Sequence, residues 1–221
     1  MGDDTATTST LDKGTWQLDP NHTAIGAVAR HLMVTKVRGR FKVFQGAIHV
    51  GDSVEDSWAE LNIDAASIDT GVEDRDNHLR SGDFLDVENH PKITFRTTKV
   101  ERTGDDTLRV TGDLTIRDIS RPVVLDVTFD GLTADPWGGT RAAFTATGEI
   151  EREQWDMTWN VALEAGGVLV SKKIQLDIEA QAVKSKEAIE AAAQAESKPQ
   201  EEAIDAAAKA ESTSREEAAA G

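Results

Sequence analysis

Apolar and polar residues alternate with period two along most of the chain between Trp16 and Val183. The clearest run is KIQLDIEA at 173–180. Ile174, Leu176, Ile178 and Ala180 share one face; Lys173, Gln175, Asp177 and Glu179 share the other. That pattern predicts a strand with one buried and one wet side. The same alternation runs through WAELNIDAASI from Trp58, KITFRTTKV from Lys92, TLRVTGDLTI from Thr107, PVVLDVTFD from Pro122 and AAFTATGEI from Ala142, and through FKVFQGAIHV from Phe41. Between these runs lie GDSVEDS, RTGDDT, RDISRP and DPWGG, rich in the residues that turns require. Short strands at near-regular spacing predict an all-β fold, a sandwich or a barrel. Gly46, Ala146 and Gly148 alternate with large residues on the expected inner faces, as in Phe44-x-Gly46-x-Ile48. Small residues there suit a barrel that bends and keeps a lumen open; the alternative is that they only relieve packing or form bulges.

Two segments break the strand rhythm. RHLMVTKVRG at 30–39 is mixed and is expected to form a helical turn between strands. DRDNHLRSGDFL, starting near Asp74, is expected to form one short helix, with acids in its first turn suiting the helix dipole.

The chain then changes in kind. From Lys184, EAIEAAAQAESKPQE is followed by EAIDAAAKAESTSRE. Alanine and glutamate favour helix, but Ile189 and Ile204 are the only large apolar residues, so this tail is expected to be a frayed helix or disordered. The expected organisation is a flexible arm at 1–13, a barrel domain at 14–183 and an acidic Ala/Glu repeat tail at 184–221.

Composition removes several classes of function. The 221 residues include no cysteine, which excludes disulfides and thiolate chemistry. No run of about 18 uncharged apolar residues spans a bilayer. The N-terminal segment is acidic and Thr-rich rather than basic and apolar, so a cytoplasmic protein is expected; Ala6 departs from the myristoylation motif that Gly2 would begin. A formal charge of −16 disfavours nucleic acid and anionic headgroups as partners. The five histidines lack metal-pair spacing, and there is no G-x-S-x-G elbow, P-loop or G-x-G-x-x-G. No catalytic or metal site is therefore expected. The acids between Asp69 and Asp86 leave one alternative open, an enzyme with an acid/base site near 74–86 acting on a lipid-like substrate. The densest polar cluster holds Arg75, Asp76, His78 and Arg80. It is expected at a barrel mouth, either tying the helix to strands or meeting a ligand's polar head.

Several motifs occur together in order: WQLDPNH at 16–22, RHLMVTKVRGRF at 30–41, ASIDT at 66–70, RDNHLRSGDFLD at 75–86, HPKITF at 90–95, GDLTI at 112–116 and RPV at 121–123. Over roughly Gly14–Val183 the chain resembles the YceI-like family of polyisoprenoid-binding, lipocalin-like proteins. The resemblance implies an extended eight-stranded antiparallel barrel and a homodimer. It implies an isoprenoid ligand in the lumen (polyprenyl alcohol, polyprenyl phosphate or quinone tail) and no other cofactor. Asp118 stands where the family usually has glycine and is expected to alter only a turn. Alternation and motif position then nominate Phe41, Phe44, Ile48, Ile63, Leu79, Phe84, Phe95, Leu114, Phe129, Phe144, Trp155 and Leu176 as ligand-binding. Trp155, Met157 and Trp159 are expected to form one rim.

Overall fold

The computed structural model describes residues 11–32, 34–134, 139–164 and 167–184. Most of the expected N-terminal arm and all of the tail beyond Lys184 lie outside the described residues. The barrel belongs to a unit that ends at Val183, and the chain from Lys184 on is a separate unit.

Eleven strands are found among the described residues: β1 (Gly14–Leu18), β2 (Ala24–His31), β3 (Thr35–Phe41), β4 (Phe44–Val50), β5 (Trp58–Asp64), β6 (Ile68–Asp69), β7 (Lys92–Arg102), β8 (Thr107–Ile116), β9 (Ile119–Ala134), β10 (Thr140–Glu151) and β11 (Lys173–Lys184). Three consecutive pairs act as single interrupted staves. β1 and β2 both pair with β11, at Gln17↔Val183 and Ile25↔Ile178. β4 and β3 continue one another beside them, at Trp16↔Ile48 and Ile25↔Phe41. β5 and β6 flank a one-turn 3-10 segment, Ala65–Ser67. The staves are antiparallel neighbours throughout, and β11 closes on β1. The result is a closed eight-stranded antiparallel barrel with, among the described residues, one α-helix, α1 (Glu73–Arg80). Closure removes the free sheet edges that would otherwise invite association.

The alternation read from the sequence is what faces each stave inward, and two bulges re-phase it. One lies between Thr97 and Lys99 on β7; the other leaves Asp130 of β9 as the extra residue opposite Ala143 and Phe144. After the first, Val100 rather than Lys99 turns to the interior.

RHLMVTKVRG is not a helical turn. It is the end of β2, a tight turn, and β3, in register from Ile25↔Phe41 to His31↔Thr35. Its polar residues alternate with Val37 and Gly39, a strand pattern that the apolar turn residues obscure. At the β8–β9 turn, Arg117 and Asp118 have φ of 50° and 59°. Two successive left-handed residues match the twist of a two-residue hairpin. Asp118 holds this geometry without glycine while its carboxylate Oδ2 lies 2.8 Å from Nδ1 of His90.

The interior has two parts. A small cluster of Trp16, Ala142 and Ala182, with Leu18, Ile48, Phe129, Leu132 and Phe144 against it, fills one end. Trp16 is fully buried, and its indole N–H donates to the carbonyl of Asp12 at 2.9 Å. Burying such a ring stabilises the fold by about 5 kcal/mol. The larger cluster lies toward the other end, where Ile150 on β10 and Ile174 on β11 stand eight residues along their strands from Ala142 and Ala182. At strand rise that is about 25 Å.

Candidate functional site

The staves of the larger cluster do not meet in a solid centre. They surround a cavity of about 710 Å³, lined mainly by apolar side chains from β2, β3, β5, β7, β8, β9, β10 and β11. A volume of this size lies in the upper part of the roughly 300–1,000 Å³ range of small-molecule sites.

Of the nominated residues, Phe41, Ile63, Leu79, Phe84, Phe95, Leu114 and Leu176 line the cavity. Phe44 and Trp155 pack in the surrounding cluster without lining it; the Trp155 indole N–H donates to the carbonyl of Leu114 at 3.2 Å. Ile48, Phe129 and Phe144 lie in the Trp16 plug. Alternation tells which side of a strand faces in; it does not tell how far along the barrel axis a residue sits. Ile93, Ile116, Leu125 and Ile150 line the cavity and share the inward parity of the nominated residues, so the same signal points to them.

The inner-face glycines behave differently from a lumen device. A Cβ on Gly46 would fall 2.8 Å from a Leu18 methyl, and one on Gly148 would fall 2.7 Å from a Leu125 methyl. Neighbouring side chains occupy these spaces. A Cβ on Gly112 would lie 2.3 Å from the Phe95 ring, so that glycine lets a cavity-wall aromatic lie flat against β8.

Helix α1 and the segment after it cover part of one mouth. Thr70 leads into the helix, and its N–H and hydroxyl both donate to Asp76, at 2.9 and 2.5 Å. Arg75 returns two hydrogen bonds to Thr70, from Nε to Oγ1 at 2.7 Å and from Nη2 to the carbonyl at 3.0 Å. Arg80 donates to the carbonyls of Ala66 and Ile68, each at 2.7 Å. Of the four nominated mouth residues, Arg75 and His78 line the cavity, whereas Asp76 and Arg80 fasten the helix to the barrel beside it. His78 stands edge-on to both Phe84 and Trp159, with ring centroids 5.0 and 4.6 Å away, and its Nε2 lies 2.8 Å from Asp83. Met157 and Trp159 line the cavity; Trp155 does not. From the β8–β9 turn, Arg117 donates to the carbonyls of Phe84 and Asp156.

One wall residue carries no signal in the sequence. Arg152 sits between Glu151 and Glu153, a run that reads as a wet surface, yet it is only 2% exposed and lines the cavity. Its Nε donates to Ser171 O at 3.0 Å, its Nη1 donates to Met157 O, and its guanidinium lies 5.7 Å from the Phe84 ring centroid. Nη2 is buried with no protein acceptor. Burial pushes the guanidinium below its ordinary pKa, partly offset by Glu153, and an arginine stays charged at neutral pH. Among the described residues no group of three His, Asp or Glu side chains converges as a metal site would require.

A closed antiparallel barrel around an apolar cavity, with a buried cation in its wall, is the class that fold and site define. The YceI-like domain matches residues 16–182, and the chain belongs to that family. A UPF0312 protein of Staphylococcus aureus is 38% identical over 166 residues, covering 74% of this chain and 94% of that protein. The solved YCEI protein of Campylobacter jejuni is 30% identical with a TM-score of 0.62, covering 71% of this chain and 90% of that one. A polyisoprenoid binding domain from Saccharophagus degradans, implicated in plant cell wall breakdown, matches with a TM-score of 0.58 over 77% of this chain and 98% of that one. At 16% identity it bears on the fold alone.

Proposed function

We propose that the protein binds a long-chain isoprenoid lipid in the barrel, for storage, transport or protection, and does not transform it. The observation that carries this is the apolar cavity of about 710 Å³. A flexible hydrocarbon chain gains about 25 cal/mol for each Å² removed from water there and needs few hydrogen bonds. Membership of the YceI-like family supports the reading. Arg152 suits the polar end of such a lipid, because its unpaired Nη2 offers a charged donor to a phosphate or a quinone carbonyl. Near 74–86, Asp76 is committed to holding Thr70 and fastening the helix. On this reading the protein works in the cytoplasm as a homodimer, to be checked by cell fractionation and light scattering.

Protein purified from its native host, extracted with organic solvent and analysed by mass spectrometry, is expected to release a polyprenyl alcohol, polyprenyl phosphate or isoprenoid quinone. An extract holding no isoprenoid sinks the reading. Arg152→Met protein is expected to retain the hydrocarbon chain and to lose roughly tenfold in affinity for a phosphorylated over an unphosphorylated polyprenol, the size of one charge-assisted hydrogen bond. Its fold stability should change by no more than about 2 kcal/mol, because lost hydrogen bonds and a relieved buried charge oppose each other.

A further inference from the structure

The chain carries 40 acids, yet not one lies between Asn21 and Gly51. The same stretch carries Arg30, Lys36, Arg38, Arg40 and Lys42. Net charge hides this segregation. The acid-free stretch forms β2, β3 and β4, and the β2–β3 hairpin ends at the cavity: Arg30, His31, Thr35 and Val37 all line it.

The cations divide by position. Arg40 and Lys42 are both engaged by Asp69, and Arg38 shares an outer groove with Asp177 and Glu179. Nearer the tip, Arg30 and Lys36 are exposed, and neither forms an ion pair among the described residues. Arg30 only reaches the carbonyl of Val34, at 3.5 Å.

The tip itself is apolar. Leu32 is 47% exposed and Val34 76% exposed. Val161 joins them through the backbone: Leu32 N donates to the carbonyl of Leu169, and Leu169 N donates to that of Val161, which is 45% exposed. Three of the exposed large apolar residues thus lie beside the cavity, with Arg30 and Lys36 on the same hairpin as Leu32 and Val34. One acid, Asp74 at the start of α1, lines the same cavity.

We propose that this hairpin lip docks on a bilayer surface bearing anionic phospholipid headgroups. Apolar side chains at an exposed tip with cations behind them match the interfacial layer of a membrane, where apolar groups enter the headgroup boundary and Lys or Arg meets phosphate. An acidic protein surface would satisfy the cations and leave Leu32, Val34 and Val161 without a reason to be exposed together. Docking is peripheral, because no helix among the described residues is long and apolar enough to cross a membrane. The proposal is independent of what the cavity holds, although a cavity open beside the lip would give an apolar cargo a short path to the bilayer.

The test is flotation of the full chain with vesicles of phosphatidylcholine alone or of phosphatidylcholine with phosphatidylglycerol, at low and high salt. Flotation is expected only with phosphatidylglycerol, and it should fall as salt screens the headgroups. Lys36→Gln should weaken partitioning about fivefold, the worth of one cation at an anionic surface. Leu32→Asp with Val34→Asp should abolish it. Both residues are exposed, so the fold should be retained, and circular dichroism checks that. Three outcomes overturn the proposal: no flotation with phosphatidylglycerol, equal flotation with both vesicle types, or undiminished flotation of the doubly substituted tip. Isoprenoid extraction separates this from the ligand reading. A chain that floats but yields no isoprenoid defeats only the ligand reading; a chain that yields it but never floats defeats only the docking.

Discussion

Asp19 shows how a single side chain ties together three staves of the barrel. It lies at the break between β1 and β2, where one stave is interrupted. Arg141 of β10 reaches across to it, with Nη1 2.6 Å from Oδ2 and 3.1 Å from the side-chain oxygen of Gln181 on β11. Burial alone would raise the Asp19 pKa, but hydrogen bonds from Arg141, His22 and the backbone N–H of Asn21 outweigh it and hold the carboxyl below its ordinary 3.8. A carboxylate with a depressed folded pKa contributes stability that is whole above the unfolded value and is lost as pH falls through the folded one. Arg141→Met is therefore expected to cost about 2 kcal/mol at neutral pH, since the pair is mostly shielded from water. The gap between wild type and variant should narrow as the pH falls from the ordinary carboxylate value through the depressed folded pKa of Asp19. Urea unfolding across that range measures it, and a gap that stays constant into strong acid would refute the assignment.

Among the strands, the β7–β8 pair sets the shape of the cavity wall. Phe95 and Leu114 are direct partners across it, and Thr97 faces Gly112. The Phe95 ring lies in the space that a side chain at Gly112 would take, and the carbonyl of Arg96 would stand 2.7 Å from the same Cβ. Gly112→Val should destabilise the barrel by about 2–3 kcal/mol through overpacking and push the Phe95 ring toward the lumen. Adding Phe95→Leu should restore part of the stability but not all, because the Arg96 carbonyl is backbone and cannot yield. Thermal unfolding of the single and double variants gives both numbers, and additive losses would show that the two sites do not touch. The same pair shows what was legible beforehand. TLRVTGDLTI and KITFRTTKV announce their strands and inner faces, because alternation is a local consequence of the pleat. That Gly112 holds a neighbour's ring, that Phe129 and Phe144 fill a plug, and that Arg152 turns inward are consequences of height along the axis and of packing between distant staves. Period-two patterning encodes neither. The hairpin at 30–39 is hidden in the sequence for a related reason: the apolar turn residues Leu32 and Val34 do not serve the core, so alternation shows no strand boundary there.

For the molecule as a whole, one end of the barrel is solid and the other encloses space. The Trp16 cluster is close-packed and contributes to stability in the ordinary way, while the cavity walls face one another across a gap that forfeits dispersion contacts until something fills it. A ligand that binds only the folded chain stabilises it in proportion to the logarithm of its concentration over its dissociation constant, about 2.7 kcal/mol at a hundredfold excess over that constant. For a barrel of this length that corresponds to a rise of roughly 5–10 °C in the unfolding midpoint. Protein stripped of lipid by organic extraction and refolded is therefore expected to melt lower than protein as isolated, and to recover its midpoint when a polyprenyl lipid is returned. The recovery should depend on lipid concentration, which distinguishes binding from irreversible damage during extraction. Scanning calorimetry with a polyprenol series of increasing length would add a limit, because the Trp16 plug fixes the floor of the cavity. The stabilisation should grow with chain length until the hydrocarbon reaches Ile48 and Phe144 and then level off. A midpoint indifferent to added lipid at every length would mean that the walls do not hold a chain at all.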